Sequence, residues 1–221
     1  MTASFDSSIF APQPTSPLVR ADKHSYPVRE LSKGDMLYYL GDEAEAIFRI
    51  EEGLLKQSVD LLNGRERITS IAGPGDLVGA ISAVHHAYQD NVEALSPRVL
   101  VQAIPREHLG EELKDALHIA LSQQLTRLRD ALEDSELPVN ARLARTLLRL
   151  GQRFGQSAEN NQVRLTLPLT HENFAAMIGA ARETTTAVLS EMRSDGLISG
   201  TRGQYSFDSS QLSDFAVSSA C

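Results

Sequence analysis

Arg182 and Glu183 stand side by side shortly after a glycine, Gly179, and are followed by three threonines, Thr184, Thr185 and Thr186. A guanidinium donates a parallel pair of hydrogen bonds to O6 and N7 of guanine, and a carboxylate accepts from N4 of cytosine. Threonine hydroxyls suit phosphate oxygens, and their methyl groups suit the methyl of thymine. Such a set reads base edges if a helix carries its first turn into a major groove. Arg202, in the run Gly200-Thr201-Arg202-Gly203, offers a further cation suited to phosphate. The sequence shows no nucleophile beside a base, no metal-ligand spacing and no glycine-rich phosphate loop. Its one cysteine is Cys221, which excludes a disulfide framework and a cysteine-held cluster. Neither enzymatic activity nor a cofactor is expected.

The elements around Arg182 position it. Thr170 is suited to cap a helix whose first turn carries Glu172, and Phe174, Met177 and Ile178 give that helix one apolar face. Gly179 supplies a sharp turn. A second helix is expected over residues 181–195, with Val188, Leu189 and Met192 facing inward and Gly196 ending it. This is the helix-turn-helix plan, whose second helix enters the major groove by its N-terminal residues. A following hairpin, Leu197-Ile198 to Tyr205-Ser206-Phe207, reads as a wing with Arg202 at its tip. The candidate DNA-contacting set is Thr170, His171, Ala181, Arg182, Glu183, Thr184 and Thr186, with Arg202 and Gly203 on the wing.

The run from Leu169 to Ile198 resembles the helix-turn-helix of the cyclic-AMP receptor protein/FNR (CRP/FNR) family of bacterial transcription regulators. The family's recognition helix begins Arg-Glu-Thr and ends near Glu-Gly-Leu-Ile; here these are Arg182-Glu183-Thr184 and Asp195-Gly196-Leu197-Ile198. Members that read a TGTGA half-site carry a second arginine where this chain has Ala187, which cannot donate to a base.

Residues 24–105 alternate short apolar strands with glycine turns: Leu37 to Leu40, Ala46 to Ile50, Leu54 to Asp60 and Arg67 to Ile71. Asn63-Gly64 is a hairpin signal, since both residues accept positive φ. The order of Gly-Asp turns resembles the cyclic-nucleotide-binding β-roll of the same family. Nucleotide-binding members carry Gly-Glu after the Pro-Gly-Asp turn and an arginine step some ten residues on. Here the pair is Gly79-Ala80 and the later step is Tyr88-Gln89, and no arginine lies between Arg67 and Arg98. Asp90 and Glu93 would repel a phosphate. The resemblance therefore implies the sensor fold without the usual cyclic-AMP contacts. Haem-carrying relatives place a histidine near this point, where His85-His86 occur, so a haem-gated or other small-molecule-gated regulator stays open. A cyclic-nucleotide-binding regulatory module is a further alternative.

From His108 onward glycines nearly vanish. Leu121, Leu125, Leu128 and Leu132 follow 4-3-4 spacing, with Leu113 and Leu117 extending the stripe. That seam argues for helix pairing, and two-fold DNA sites call for a two-fold protein. Pro138 reads as a hinge. Residues 139–154 read as an amphipathic helix with Leu143, Leu147, Leu148 and Leu150 apolar and Arg142, Arg145, Arg149 and Arg153 polar; its arginines either meet phosphates or solvate the helix. A polar loop over residues 157–162 and a strand over 163–167 follow.

The expected architecture is α+β: an arm over residues 1–22, a β-roll over 23–107, a dimerisation helix over 108–137 and a winged helix-turn-helix over 138–221. The net charge of −8 is uneven. Residues 138–203 carry eight arginines against five acidic residues, net +3, while residues 1–137 are net −9. The field near a groove matters more than the total. No apolar run reaches the length of a membrane span and no secretory signal is visible, so a cytoplasmic protein away from membranes is expected. By resemblance, its partners are double-stranded DNA, a second copy of itself and RNA polymerase, and it is most often an activator.

Overall fold

The computed structural model describes residues 26–157 and 161–220. The arm expected over residues 1–22 lies outside them. The described residues fall into two compact units, which meet in sequence between Ser135 and Glu136.

The first unit is built from eight strands and one long helix. In chain order these are β1 (Val28–Ser32), β2 (Met36–Tyr38), β3 (Ala46–Glu52), β4 (Leu55–Asp60), β5 (Glu66–Ala72), β6 (Leu77–Val78), β7 (Asn91–Ala94), β8 (Arg98–Pro105) and α1 (Glu111–Ser135). The strands form two antiparallel four-stranded sheets, ordered β1-β8-β3-β6 and β2-β7-β4-β5. Alternation puts Phe48 and Ile50 of β3, Leu55 of β4, Val92 of β7 and Val99 and Val101 of β8 into one shared core. The strand expected from Leu37 to Leu40 stops at Tyr38, because Asp42 and Asn91 take the amide groups of Tyr39 and Leu40. At the β4–β5 turn only Gly64 adopts positive φ. Leu61 pairs with Arg65 through a 2.9 Å bond, and the Gly64 amide closes a β-turn on the Leu61 carbonyl at 2.8 Å. This is the three-residue loop ending in a left-handed glycine, in place of the two-residue turn Asn63-Gly64 suggested.

Helix α1 starts three residues later than expected, after a 3-10 turn at Arg106–His108. Its Leu113, Ala116 and Ala120 pack with Ile47, Leu77 and Ile104 of the roll. Sheet β2-β7-β4-β5 also holds a buried cation: Lys56 on β4 lies 2.8 Å from Glu66 on β5 and 2.8 Å from Glu93 on β7. Glu93 therefore neutralises a lysine across the sheet and is not a loose acid facing a ligand site.

The second unit comprises α2 (Val139–Phe154), β9 (Gln156–Ser157), β10 (Gln162–Thr166), α3 (His171–Ile178), α4 (Arg182–Ser194), β11 (Ser199–Thr201), β12 (Gln204–Asp208) and α5 (Ser209–Ser218). Its sheet runs β11-β12-β10-β9. Ser157 and Gln162, expected in a polar loop, belong to strands β9 and β10, where Ser157 pairs with Val163 and Gln162 with Asp208. Helix α2 is buried on most sides, because α5 packs along it on one side while α3, α4 and β10 pack against the rest. Arg145 is buried, and Arg142 donates from Nη1 to the Ile178 carbonyl at 2.7 Å, capping the end of α3. These two arginines hold the fold and are not an outward face. Helix α5 was not anticipated: Asp208 caps it by accepting from the amides of Ser210 and Gln211, and Leu212 and Ala216 are buried.

Candidate nucleic-acid interface

Thr170 starts α3 through a reciprocal cap. Its Oγ1 accepts from the Asn173 amide at 3.1 Å, and Asn173 Oδ1 accepts from the Thr170 amide at 2.9 Å. Phe174, Ala175 and Ile178 face the core, Met177 is half-buried, and Phe174 meets the Tyr205 ring edge-on at 5.6 Å. Gly179 ends the helix at φ 65°, ψ 42°, a left-handed conformation that glycine adopts without Cβ strain. The chain then passes through extended Ala181 into α4.

Helix α4 buries Thr185, Leu189 and Met192, spaced four and three apart, while Val188 is half-buried. Thr185 turns its hydroxyl back to the Ala181 carbonyl at 2.9 Å. Of the three threonines, Thr185 is therefore a core residue, Thr184 is exposed and Thr186 is half-exposed. Arg182, Glu183 and Ala187 are exposed on the same helix. Two contacts tie the start of α3 to this surface: His171 Nδ1 lies 3.0 Å from Thr186 Oγ1, and Glu172 Oε2 lies 3.9 Å from Arg182 Nε. Burial, then the charges of Arg193 and Arg182, hold the His171 pKa below its ordinary 6.5.

The wing is the β11–β12 hairpin, with Thr201 opposite Gln204 and a two-residue turn at Arg202-Gly203. Both turn residues have positive φ, 54° for Arg202 and 80° for Gly203. Arg202 is exposed. Gly203 is buried: its carbonyl accepts from the Leu167 amide at 2.8 Å, and a Cβ there would collide with the Leu167 carbonyl oxygen. It positions the tip, and Arg202 is the wing-tip side chain open to a ligand. The structure thus brings Thr170, His171, Ala181, Arg182, Glu183, Thr184 and Thr186 onto neighbouring turns of α3 and α4, with Arg202 on the wing of the same unit.

In the first unit the leucine stripe divides. Leu121 is partly buried against the roll's own core, whereas Leu125 and Leu132 are 69% and 71% exposed and Leu128 is exposed beside them. The interior of the roll holds residues whose roles were not visible in the sequence. Tyr88 is buried, its ring stacked on Tyr38 at 3.7 Å and 9°, and its hydroxyl donates to the Ala46 carbonyl at 2.8 Å. Asp90 is also buried, accepting from the Tyr38 hydroxyl at 3.1 Å and from Gln57 Nε2 at 2.8 Å. Burial raises the Asp90 pKa against the pull of those two bonds, and burial followed by the charge of Asp90 raises that of Tyr38. Asp90, Gln57, Gly79 and Ser82 line a cleft with Gln124 and Arg127 of α1. His85 and His86 are both exposed, and the His85 carbonyl accepts from Arg106 at 2.9 Å.

Two domain families match the chain in this order: the cyclic nucleotide-binding domain over residues 28–116 and the Crp-like helix-turn-helix domain over residues 141–213. Regulatory protein CysR of Synechococcus elongatus is 33% identical over 159 residues, which is 70% of this chain and 72% of that protein. A CRP-like cAMP-activated global transcriptional regulator of Mycobacterium tuberculosis is 28% identical over 199 residues, covering 86% and 87% of the two chains. Among solved structures, a CRP/FNR-family transcriptional regulator from Thermus thermophilus superposes with a TM-score of 0.72 at 26% identity, over 87% of this chain and 100% of its own. A roll of two antiparallel sheets, a long helix and a winged helix-turn-helix with Arg182-Glu183-Thr184 opening its second helix now stand together with these likenesses: the chain belongs to the CRP/FNR family of DNA-binding transcription regulators.

Proposed function

We propose that the protein acts as a homodimer on a pseudo-palindromic site, most often as an activator contacting RNA polymerase, and that it needs no cyclic AMP. The observation that carries the DNA-reading part is the exposed first turn of α4, where Arg182 and Glu183 follow the left-handed turn at Gly179. In this reading Arg182 pairs with a guanine and Glu183 with a cytosine in each half-site, Thr170, His171, Thr184 and Thr186 line the backbone, and Arg202 meets a phosphate. Exposed Leu125, Leu128 and Leu132 support a dimer seam, since a monomer would leave that apolar stripe in water.

Independence from cyclic AMP is supported by what fills the roll. Tyr88, where nucleotide-binding members carry the phosphate-holding arginine, is buried in a ring stack, and Ala80 takes the place of the ribose-binding glutamate. The Mycobacterium tuberculosis relative is by name cAMP-activated; in this reading the present chain does not keep that dependence. Among the described residues no helix is long and apolar enough to cross a membrane. Action on chromosomal DNA assigns the protein to the cytoplasm in this reading. Selection of bound sequences from random DNA by the purified protein, with and without cyclic AMP, tests the reading. A two-fold motif with guanine and cytosine at mirrored positions, unchanged by the nucleotide, is the expected result. A motif that emerges only with cyclic AMP overturns the independence.

A further inference from the structure

His171 is the only histidine beyond residue 136, and histidine is the side chain whose ordinary titration lies nearest neutral pH. It occupies the first position of α3, where the helix dipole opposes a positive charge. Its Nδ1 sits 3.0 Å from the Thr186 hydroxyl of α4. Arg182 and Arg193 of α4 act on it as like charges, and its one neighbouring carboxylate on α3, Glu172, is 3.9 Å from Arg182. Tyr205 of β12 stands near the same Arg193, and the charged group that α2 contributes to α3, Arg142, binds its opposite end at Ile178. In the free protein burial, the helix dipole, Arg193 and Arg182 favour a neutral ring, and Glu172 opposes them.

A DNA backbone reverses that balance. A neutral imidazole has one N–H, whereas an imidazolium donates from both nitrogens. The protonated ring donates from Nδ1 to Thr186 Oγ1 and offers Nε2–H to a phosphate oxygen, at a helix start already suited to anions. We propose that His171 is a proton-coupled phosphate contact, taking up one proton per subunit when the protein docks on DNA. The proposal rests on the docking reading above, in which the start of α3 lies along the backbone. It adds a regulation of that site: operator affinity responds to pH through this residue.

The sign follows from linkage. With the pKa lowered in the free protein and raised in the complex, pH has no effect through His171 above the bound value. Between the two values each unit of falling pH strengthens binding up to about tenfold per subunit, and up to about a hundredfold for a dimer. Below the free value the effect levels off. Because phosphate carries no base identity, cognate and non-cognate sequences gain alike.

The experiment is a fluorescence-anisotropy titration of the selected operator with full-length protein, from about pH 5.5 to about pH 8.5 at fixed ionic strength, a span that brackets the histidine range. Wild type is compared with His171→Gln, which stays neutral, and His171→Arg, which stays charged. Wild-type affinity falls by tenfold or more with rising pH, the glutamine variant is weak and flat, and the arginine variant is tight and flat. Proton NMR of the imidazole provides a second measurement, with a higher His171 pKa in the complex than in the free protein. A flat wild-type profile, a glutamine variant keeping the wild-type slope, or equal pKa values in the two states overturns the proton coupling. Absence of operator binding at every pH overturns the docking reading, and the coupling falls with it.

Discussion

Arg182 and Arg202 both present guanidinium groups to solvent, but on backbones that suit different tasks. Arg182 stands on the first turn of a helix, at a fixed height and angle, whereas Arg202 stands on a two-residue turn at the end of a hairpin. Arg182→Ala is therefore expected to cost about 1–3 kcal/mol per half-site and to relax preference at one base position. Arg202→Ala is expected to weaken all sequences equally and to make the salt dependence shallower by roughly one unit per contact. Binding selections on both variants check this; an unchanged motif for Arg182→Ala or an altered one for Arg202→Ala contradicts the assignment. Asp90 carries a prediction of another kind. Its pKa is raised by burial, so the folded state holds the proton more tightly than the unfolded one, and the stability this group contributes falls as pH rises from about 3.8 through the folded value. Asp90→Asn removes that dependence. Thermal melts are expected to show the variant gaining on wild type as pH rises through this window, and a pH-independent difference between the two refutes it.

Helix α1 divides its apolar residues between a buried half and an exposed one. Leu113 is buried on the roll with Ala116 and Ala120, Leu117 and Leu121 pack against the same core, and Leu125, Leu128 and Leu132 face solvent. Leu125→Asp and Leu128→Asp place a carboxylate in the apolar seam, where an unpaired charge is strongly unfavourable. Both are expected to yield folded monomers with badly weakened operator binding; sedimentation showing intact dimers moves the interface elsewhere. Leu121→Asp differs, because that side chain packs on its own roll and its loss is expected to lower the melting temperature as well. The heptad spacing could not separate these roles, since a helix docked on its own domain and a helix docked on a copy bury the same stripe.

At the level of the whole molecule, cyclic AMP at millimolar concentration is expected to leave specific DNA affinity unchanged; a tenfold rise, about 1.4 kcal/mol of coupling, contradicts this. What could be read from the chain depended on range. The helix-turn-helix was legible because its signals are local: Thr170 before the first turn, Gly179 and Gly196 at the breaks, and Leu189 and Met192 three apart. Thr185 was less legible, since only the packing decides which of three adjacent threonines turns inward. Arg142 and Arg145 looked like a polar face because sequence periodicity does not reveal which elements pack on α2: Arg142 reaches the end of α3, and α5 closes over another side. The Asp90 cluster was invisible for a related reason: Tyr38 and Gln57 lie 52 and 33 residues away in sequence, and only the sheet register brings them together.

The turn at Arg202 has a consequence for any attempt to harden this protein. An arginine held at φ 54° sits in a left-handed conformation that costs a non-glycine residue about 1–2 kcal/mol, which asparagine or glycine largely avoids. A library screened only for heat resistance should therefore enrich Arg202→Gly and Arg202→Asn, while one screened for promoter occupancy should purge them. The wing tip would then be the position at which survival on heating and grip on the chromosome rank the same substitutions in opposite order.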